Sequence, residues 1–220
     1  MDREGGSSGM KYAVLIVLWI LWCALHSGAI SLTSSARFRS RCGKYCRFSR
    51  LLYNLVALAT LLPLIRHSHS LDGPVLFRWP GYLTVLQWLL LASASALFIA
   101  GALKYDMLQF LGIRQIISGR SPASLSQSGG IDTSGVLSLT RHPWYLATII
   151  LIWAGQREIH ASTLLANALL TIYVVVGTLL EERRLIREFG SSYRDYMQRV
   201  PMLFPTKWVL SRFPMEGKVR

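Results

Sequence analysis

The chain of 220 residues is poor in acid and in cysteine. Its 11 aspartates and glutamates stand against 24 lysines and arginines, a net charge of +13. Three cysteines are an odd count, which argues against a closed disulfide framework. Cys42 and Cys46 have CxxxC spacing, but the two further ligands that a zinc site needs do not follow, so no metal is expected. Reduced thiols are expected: Cys23 packs inside an apolar run, and the Cys42/Cys46 pair beside a basic loop is a candidate for palmitoylation. No zinc-finger spacing and no aromatic-basic sheet motif accompanies the positive charge, which excludes nucleic acid as a partner. Charge itself is sparse, at 16% of residues, while 52% are hydrophobic and the mean hydropathy is +0.36. The apolar residues do not alternate with polar ones as on a soluble helix. They gather in runs of roughly 20 residues, the length that crosses a bilayer.

Residues 1–10 read as a flexible tail, with Met10 as an alternative start. The run Tyr12 to Leu32 is longer than a signal-peptide core, lacks a basic leader and is followed by a basic loop, so it reads as a retained membrane helix. Residues 33–50 hold Arg37, Arg39, Arg41, Lys44, Arg47 and Arg50 without one acid, which assigns this loop to the cytoplasm. A second helix is expected from about Phe48 to Ile65, then a turn-rich loop over 66–80 with Asp72-Gly73-Pro74 and Trp79-Pro80. In the third run, Gly81 to Leu103, Ala92, Ala96 and Ala100 recur every four residues, and so do Ser93, Leu97 and Gly101; small residues at that spacing predict close helix approach in the middle of a bundle. Residues 104–140 form a long connection, Ser/Gly-rich from Ser118 to Gly135, of the kind that serves as a lid or stays disordered. The fourth run, Trp144 to Gly155, is short for a span; a polar turn Gln156-Arg157-Glu158 leads to the fifth, Ser162 to Leu180. Tyr193, Tyr196, Met197 and Val200 share a helical face and predict an amphipathic segment. The expected fold is all-α: an integral membrane helical bundle with about five transmembrane helices and a C-terminal amphipathic cytoplasmic segment. Residues 11–220 read as one domain. Span counting puts the amino terminus outside, the 104–140 loop and the tail in the cytoplasm, and His67, His69 and His160 in solvent on the outer side.

Two polar clusters flank the last hairpin. Arg141-His142-Pro143-Trp144-Tyr145 opens it and Glu181-Glu182-Arg183-Arg184 closes it. Alone, the first is an ordinary helix start with proline near the first position, and the second a solvated helix end. With five spans both reach the same membrane face, where charge is costly unless it binds something. A ligand with an amino-acid end and a cationic sulfur would suit them. Its ammonium would meet a carboxylate, its carboxylate an arginine fork, and its sulfonium the faces of Trp144, Tyr145 or Tyr196. Adjacent helical residues point about 100° apart, so one glutamate would face the ligand and the other a base such as Arg141, Arg184 or Arg187.

These motifs, continued by Phe189-Gly190-Ser-Ser-Tyr193-Arg-Asp-Tyr196 and Val200-Pro201-Met-Leu-Phe-Pro205, resemble the isoprenylcysteine carboxyl methyltransferase superfamily over about residues 104–205. His26-Ser27, Leu51-Leu52-Tyr53-Asn54-Leu55 and Leu111-Gly112-Ile113-Arg114-Gln115 resemble its NnrU-like and methanethiol S-methyltransferase branch. The resemblance implies an integral membrane enzyme using S-adenosylmethionine as methyl donor. It implies cofactor contacts from His142, Pro143, Tyr145, Glu181, Glu182 and Tyr196. Arg141, which precedes the turn as the family pattern expects, is the candidate catalytic residue, a fixed cation that would hold an anionic acceptor. Trp144, larger than the aliphatic residue often found there, and His26 are the candidate substrate contacts. The branch points to a small or hydrophobic thiol as acceptor. A carboxylate (isoprenylcysteine or a fatty acid) and a lipid headgroup are alternatives. Of other classes, a haem protein using His26 and His142 and a small carrier or scaffold remain open.

Overall fold

The computed structural model describes residues 3–34, 36–71, 73–118 and 131–205; the side chains of 3–8, 32–37 and 39 are not described. Asp72 and most of the Ser/Gly-rich loop thus lie outside the described residues, as do the side chains of Arg37 and Arg39. The elements in order are α1 (Arg3–Ser34), α2 (Ala36–Cys42), a 3-10 turn Gly43–Phe48, α3 (Ser49–Ser70), β1 (Val75–Arg78), α4 (Thr84–Ala102), α5 (Met107–Leu111), α6 (Ile113–Ser118), α7 (Pro143–Ala154), β2 (Glu158–His160), α8 (Ala161–Phe189) and α9 (Ser191–Arg199). Segments Gly9–Ser31, Ser40–Ser70, Gly81–Ala102 and Ala161–Phe189 are long and apolar enough to cross a membrane. The chain is a helical integral membrane protein, and α1 reaches back into the residues expected as a tail.

The chain divides into two compact units. The first draws on Met1–Pro80, Asp106–Leu125 and Gln156–Tyr173. Its core joins Leu15, Trp19, Leu64 and Ala166. The Trp19 indole donates to Ser68 Oγ at 3.0 Å, and Ser68 Oγ donates to the Leu64 carbonyl at 2.9 Å, so the buried polar atoms on α1 and α3 are paired. Two of the three motifs that resemble the NnrU-like branch, at residues 51–55 and 111–115, meet in this unit. Asn54 Nδ2 donates to the Phe110 and Leu111 carbonyls at 3.1 and 3.3 Å. A Cβ at Gly112 would stand 2.6 Å from Leu51 N, and its φ is +89°, so only glycine fits between α5 and α6.

The first unit also departs from the expected all-helical pattern. β1 and β2 pair antiparallel, with Val75 opposite His160 and Arg78 opposite Glu158. Each strand is three or four residues long, too short for a pattern of its own; partners 80 to 85 residues apart in sequence stabilise both. Arg78 and Glu158 form an ion pair at 2.8 Å, and His160 Nδ1 lies 3.0 Å from the Gly73 carbonyl. His160 is therefore half-buried and bonded rather than solvated, because the strand pairing turns it toward the chain.

The second unit draws on Gly81–Tyr105, Ser126–Gly155 and Val174–Arg220. In it α7 lies antiparallel to α4. Gln87 near the start of α4 donates to the Ala154 carbonyl at the end of α7, at 2.8 Å. Trp144 at the start of α7 donates to the Phe98 carbonyl near the end of α4, at 3.0 Å. The buried row on α4 is Gln87, Ala94 and Gly101, one residue every two turns, while Ala92 and Ala96 face outward. The Ala92/Ala96/Ala100 repeat therefore does not mark the contact face, whereas Leu97 and Gly101 of the other repeat lie on it. A Cβ at Gly101 would stand 2.4 Å from the Trp144 indole nitrogen, so the glycine is what lets that ring lie against α4. With its 12 residues, α7 rises only about 18 Å. Its core contains Leu146, Ile149 and Leu203, packed by Leu97, Trp153 and Val174.

Candidate functional site

Pro143 opens α7 at its first turn, where a missing N–H costs nothing, and is fully buried. The residues just before it are held by the segment after α9. Arg141 N donates to the Pro201 carbonyl at 3.0 Å, His142 N to the Met202 carbonyl at 3.2 Å, and Thr140 Oγ1 to the same Met202 carbonyl at 3.1 Å. The Arg-His-Pro turn and the Val-Pro-Met motif, 60 residues apart, thus form one local structure.

Glutamates 181 and 182 lie within α8, which continues to Phe189 rather than ending at the apolar run. The two carboxylates diverge as helical geometry requires. Glu182 turns inward: its Oε1 accepts from Arg141 Nε at 2.7 Å and Nη2 at 2.6 Å, and lies 3.2 Å from His142 Nε2. Arg141 Nη1 donates to the Met197 and Val200 carbonyls. Glu182 is 5% exposed and Arg141 8%, so this is a buried pair with every guanidinium nitrogen engaged. Glu181 points elsewhere. It accepts from the Tyr145 hydroxyl at 2.7 Å, lies 3.9 Å from His142 Nδ1, and its side chain is 40% exposed. The His142 ring stacks on Tyr145 at 5.4 Å. Of the two imidazole nitrogens, only Nε2 is within hydrogen-bond distance of a carboxylate, that of Glu182.

After Gly190, helix α9 turns back along α8. Tyr193 and Tyr196, one turn apart, bury their rings with Val200 against Leu185, Ile186 and Phe189. The amphipathic face expected here is thus covered by protein. The Tyr196 hydroxyl donates to the Leu137 carbonyl at 2.6 Å. The Tyr193 hydroxyl is buried and has no partner among the described residues. Burial, and then Tyr105, hold the Tyr196 phenol well above its ordinary range. Tyr105 lies edge-on to Trp144 at 4.9 Å, and burial with Glu181 and Asp132 nearby pushes it up to about 12. Lys104 Nζ binds Asp132 at 3.0 Å and Ser134 Oγ at 2.7 Å.

The structure therefore brings Arg141, His142, Pro143, Tyr145, Glu181, Glu182 and Tyr196 into one cluster in the second unit, with Trp144 beside it on α7. His26 belongs to the first unit. Its ring stacks on Trp22 at 4.9 Å, its Nε2 lies 2.6 Å from the Tyr53 hydroxyl, and Tyr173 stands edge-on at 6.2 Å. Tyr105 and Tyr193 were missed as site residues. Tyr193 carried a signal, since it stands three residues before Tyr196 on the same face; Tyr105 carried none. Among the described residues, no group of three or more His, Cys, Asp or Glu side chains is placed to hold a metal.

Long apolar helices and a buried ion cluster at the end of one of them define an integral, multi-pass membrane protein. The profile of the NnrU protein family matches residues 14–204, nearly the whole chain. The chain belongs to that family, in agreement with the branch its motifs resemble. It is 30% identical to Methanethiol S-methyltransferase 2 of Bradyrhizobium diazoefficiens, over 91% of this chain and 76% of the relative. It is 31% identical to the Methanethiol S-methyltransferase of Pseudomonas deceptionensis over 56% of this chain and 45% of the relative. It is 52% identical to Methanethiol S-methyltransferase 1 of B. diazoefficiens over 30% of this chain. The match spans only 45% and 22% of the length of those last two relatives. No solved structure is significantly similar to the chain.

Proposed function

We propose that the protein is an integral membrane methyltransferase that moves a methyl group from S-adenosylmethionine to a small thiol. The observation that carries the reading is the division of labour in the glutamate pair. Glu182 is closed on Arg141 and His142, whereas Glu181 keeps a half-exposed carboxylate with Tyr145 as its hydrogen-bond donor. Glu181 is thus the carboxylate offered to an ammonium, and the stacked His142 and Tyr145 rings border it. The Tyr193 hydroxyl, without a partner among the described residues, adds a polar group beside the same cluster. These residues fit the cofactor's amino-acid end. Bound there, S-adenosylmethionine supplies a methyl group already activated on a sulfonium. The protein's own work is to orient and to exclude water. Arg141, with its nitrogens engaged by Glu182 and two carbonyls, positions the turn and α9 rather than gripping an acceptor. Trp144, fixed by the Phe98 carbonyl and seated on Gly101, narrows the space beside the site. The names of the relatives support methanethiol or a similar small thiol over a carboxylate or a lipid headgroup.

The site is proposed to face the cytoplasm. The pairing of β1 with β2 ties the α7–α8 connection to the face of the α3–α4 connection. α7, antiparallel to α4, is proposed as a fifth crossing despite its length. Glu181 stands 20 residues into α8, about 30 Å on, at the opposite face. The acid-free basic stretch of 33–50 supports the cytoplasm for that face.

Calorimetric titration of the detergent-purified protein tests the reading. Both S-adenosylmethionine and S-adenosylhomocysteine should bind, the product at least as tightly, and labelled methyl should pass to methanethiol. Absence of binding by either at millimolar ligand overturns it.

A further inference from the structure

Tyr193 is 3% exposed, and its hydroxyl has no hydrogen-bond partner among the described residues. An orphaned buried hydroxyl is uncommon, because its lost hydration is not made good by a partner. The packing of α9 explains the ring, which lies edge-on to Tyr196 at 5.8 Å within the cluster with Val200, Leu185 and Ile186. It does not explain the oxygen, since phenylalanine would fill the same place. The charges that act on the oxygen are those of the ion cluster: Glu182, Arg141 and Glu181. Burial keeps the proton on the phenol, so the group is a donor. A donor is what the cluster lacks for an anionic ligand group. The arginine fork expected to hold a ligand carboxylate is turned to Glu182 and to the Met197 and Val200 carbonyls.

We infer that Tyr193 is a ligand-binding residue whose hydroxyl donates a hydrogen bond to the carboxylate of the ligand's amino-acid end, while Glu181 takes the ammonium. This rests on the reading of the site as one for S-adenosylmethionine. Tyr193 supplies the recognition that Arg141 cannot, and Arg141 acts one step back by fixing the backbone at the C-terminal end of α9.

The test compares the full-length parent with Tyr193→Phe in detergent, using two probes. S-adenosylhomocysteine carries the amino-acid end; 5′-methylthioadenosine has the same nucleoside and thioether without it. Losing a hydrogen bond to a charged group should weaken S-adenosylhomocysteine binding about ten- to a hundredfold. Binding of 5′-methylthioadenosine should be unchanged. Without ligand, Tyr193→Phe should melt at the same temperature as the parent or higher, because an unpaired buried hydroxyl has been removed; a merely structural tyrosine would melt lower. As a readout that needs no substitution by phenylalanine, 3-fluorotyrosine at position 193 should show a fluorine resonance that moves with S-adenosylhomocysteine and not with 5′-methylthioadenosine. Equal losses for both probes, or no loss with a still resonance, overturn the inference and leave the enzyme reading intact. If the parent binds neither probe, both fall.

Discussion

Replacing each glutamate of the pair by glutamine separates its two roles. Glu182→Gln takes the charge from an acceptor that is 5% exposed and holds two Arg141 nitrogens at 2.6–2.7 Å. Breaking a buried ion pair by removing one partner costs about 3–5 kcal/mol, because the other charge is left uncompensated. Glutamine keeps a neutral acceptor in place, so the lower end, about 3 kcal/mol, is expected. For a chain of this size that lowers the melting temperature by about 6–12 °C. Glu181→Gln acts on a side chain that is 40% exposed. Its loss should change stability by less than about 1 kcal/mol. It should instead raise the dissociation constant for S-adenosylhomocysteine about ten- to a hundredfold, the worth of a charge-assisted bond to the ligand ammonium. Thermal melts and calorimetry on the two variants measure both quantities. If both bind like the parent, or if Glu182→Gln melts with the parent and Glu181→Gln does not, the assignment of inward and outward carboxylates is wrong.

Gly101→Ala should destabilise by about 1–3 kcal/mol through overpacking, since its Cβ would meet the Trp144 ring at 2.4 Å, and Trp144→Leu in the same chain should restore most of the loss in a melt. Asp132 is held at about 2, below its ordinary 3.8, first by the Ser134 backbone N–H, then by the Ser134 hydroxyl and Lys104. A lowered carboxyl stabilises the fold above its unfolded value and loses that contribution as pH falls from about 4 to about 2. Limited proteolysis of parent and Asp132→Asn across that window should show the parent's advantage vanish, and an advantage that persists at pH 2 refutes it. Ser40→Cys, with Cys23, Cys42 and Cys46 changed to serine, should resist impermeant thiol reagents in intact cells and react after lysis; labelling from outside contradicts the assigned topology.

Much was legible in the sequence because bilayers impose simple rules. Run length gave the four long spans, the basic stretch gave an orientation to test, and Gly190 marked the break between α8 and α9. Local composition also named most of the residues that cluster: Arg141, His142, Tyr145, Glu181, Glu182 and Tyr196. Their pairing was beyond it. That Glu182 rather than Glu181 meets Arg141 depends on the rotation of α8 against the turn before α7, and that rotation is set by packing. The β1–β2 pair joins segments too short to signal alone, and the real contact face of α4 appears only where Trp144 lies on Gly101. Sequence determines which chemical groups reach a membrane face, because hydrophobic length and flanking charge act locally. Tertiary structure decides which of those groups are satisfied by one another, as Glu182 is by Arg141, and which stay half-exposed, as Glu181 does, because a buried polar atom's partner is chosen by the packing of chain distant in sequence.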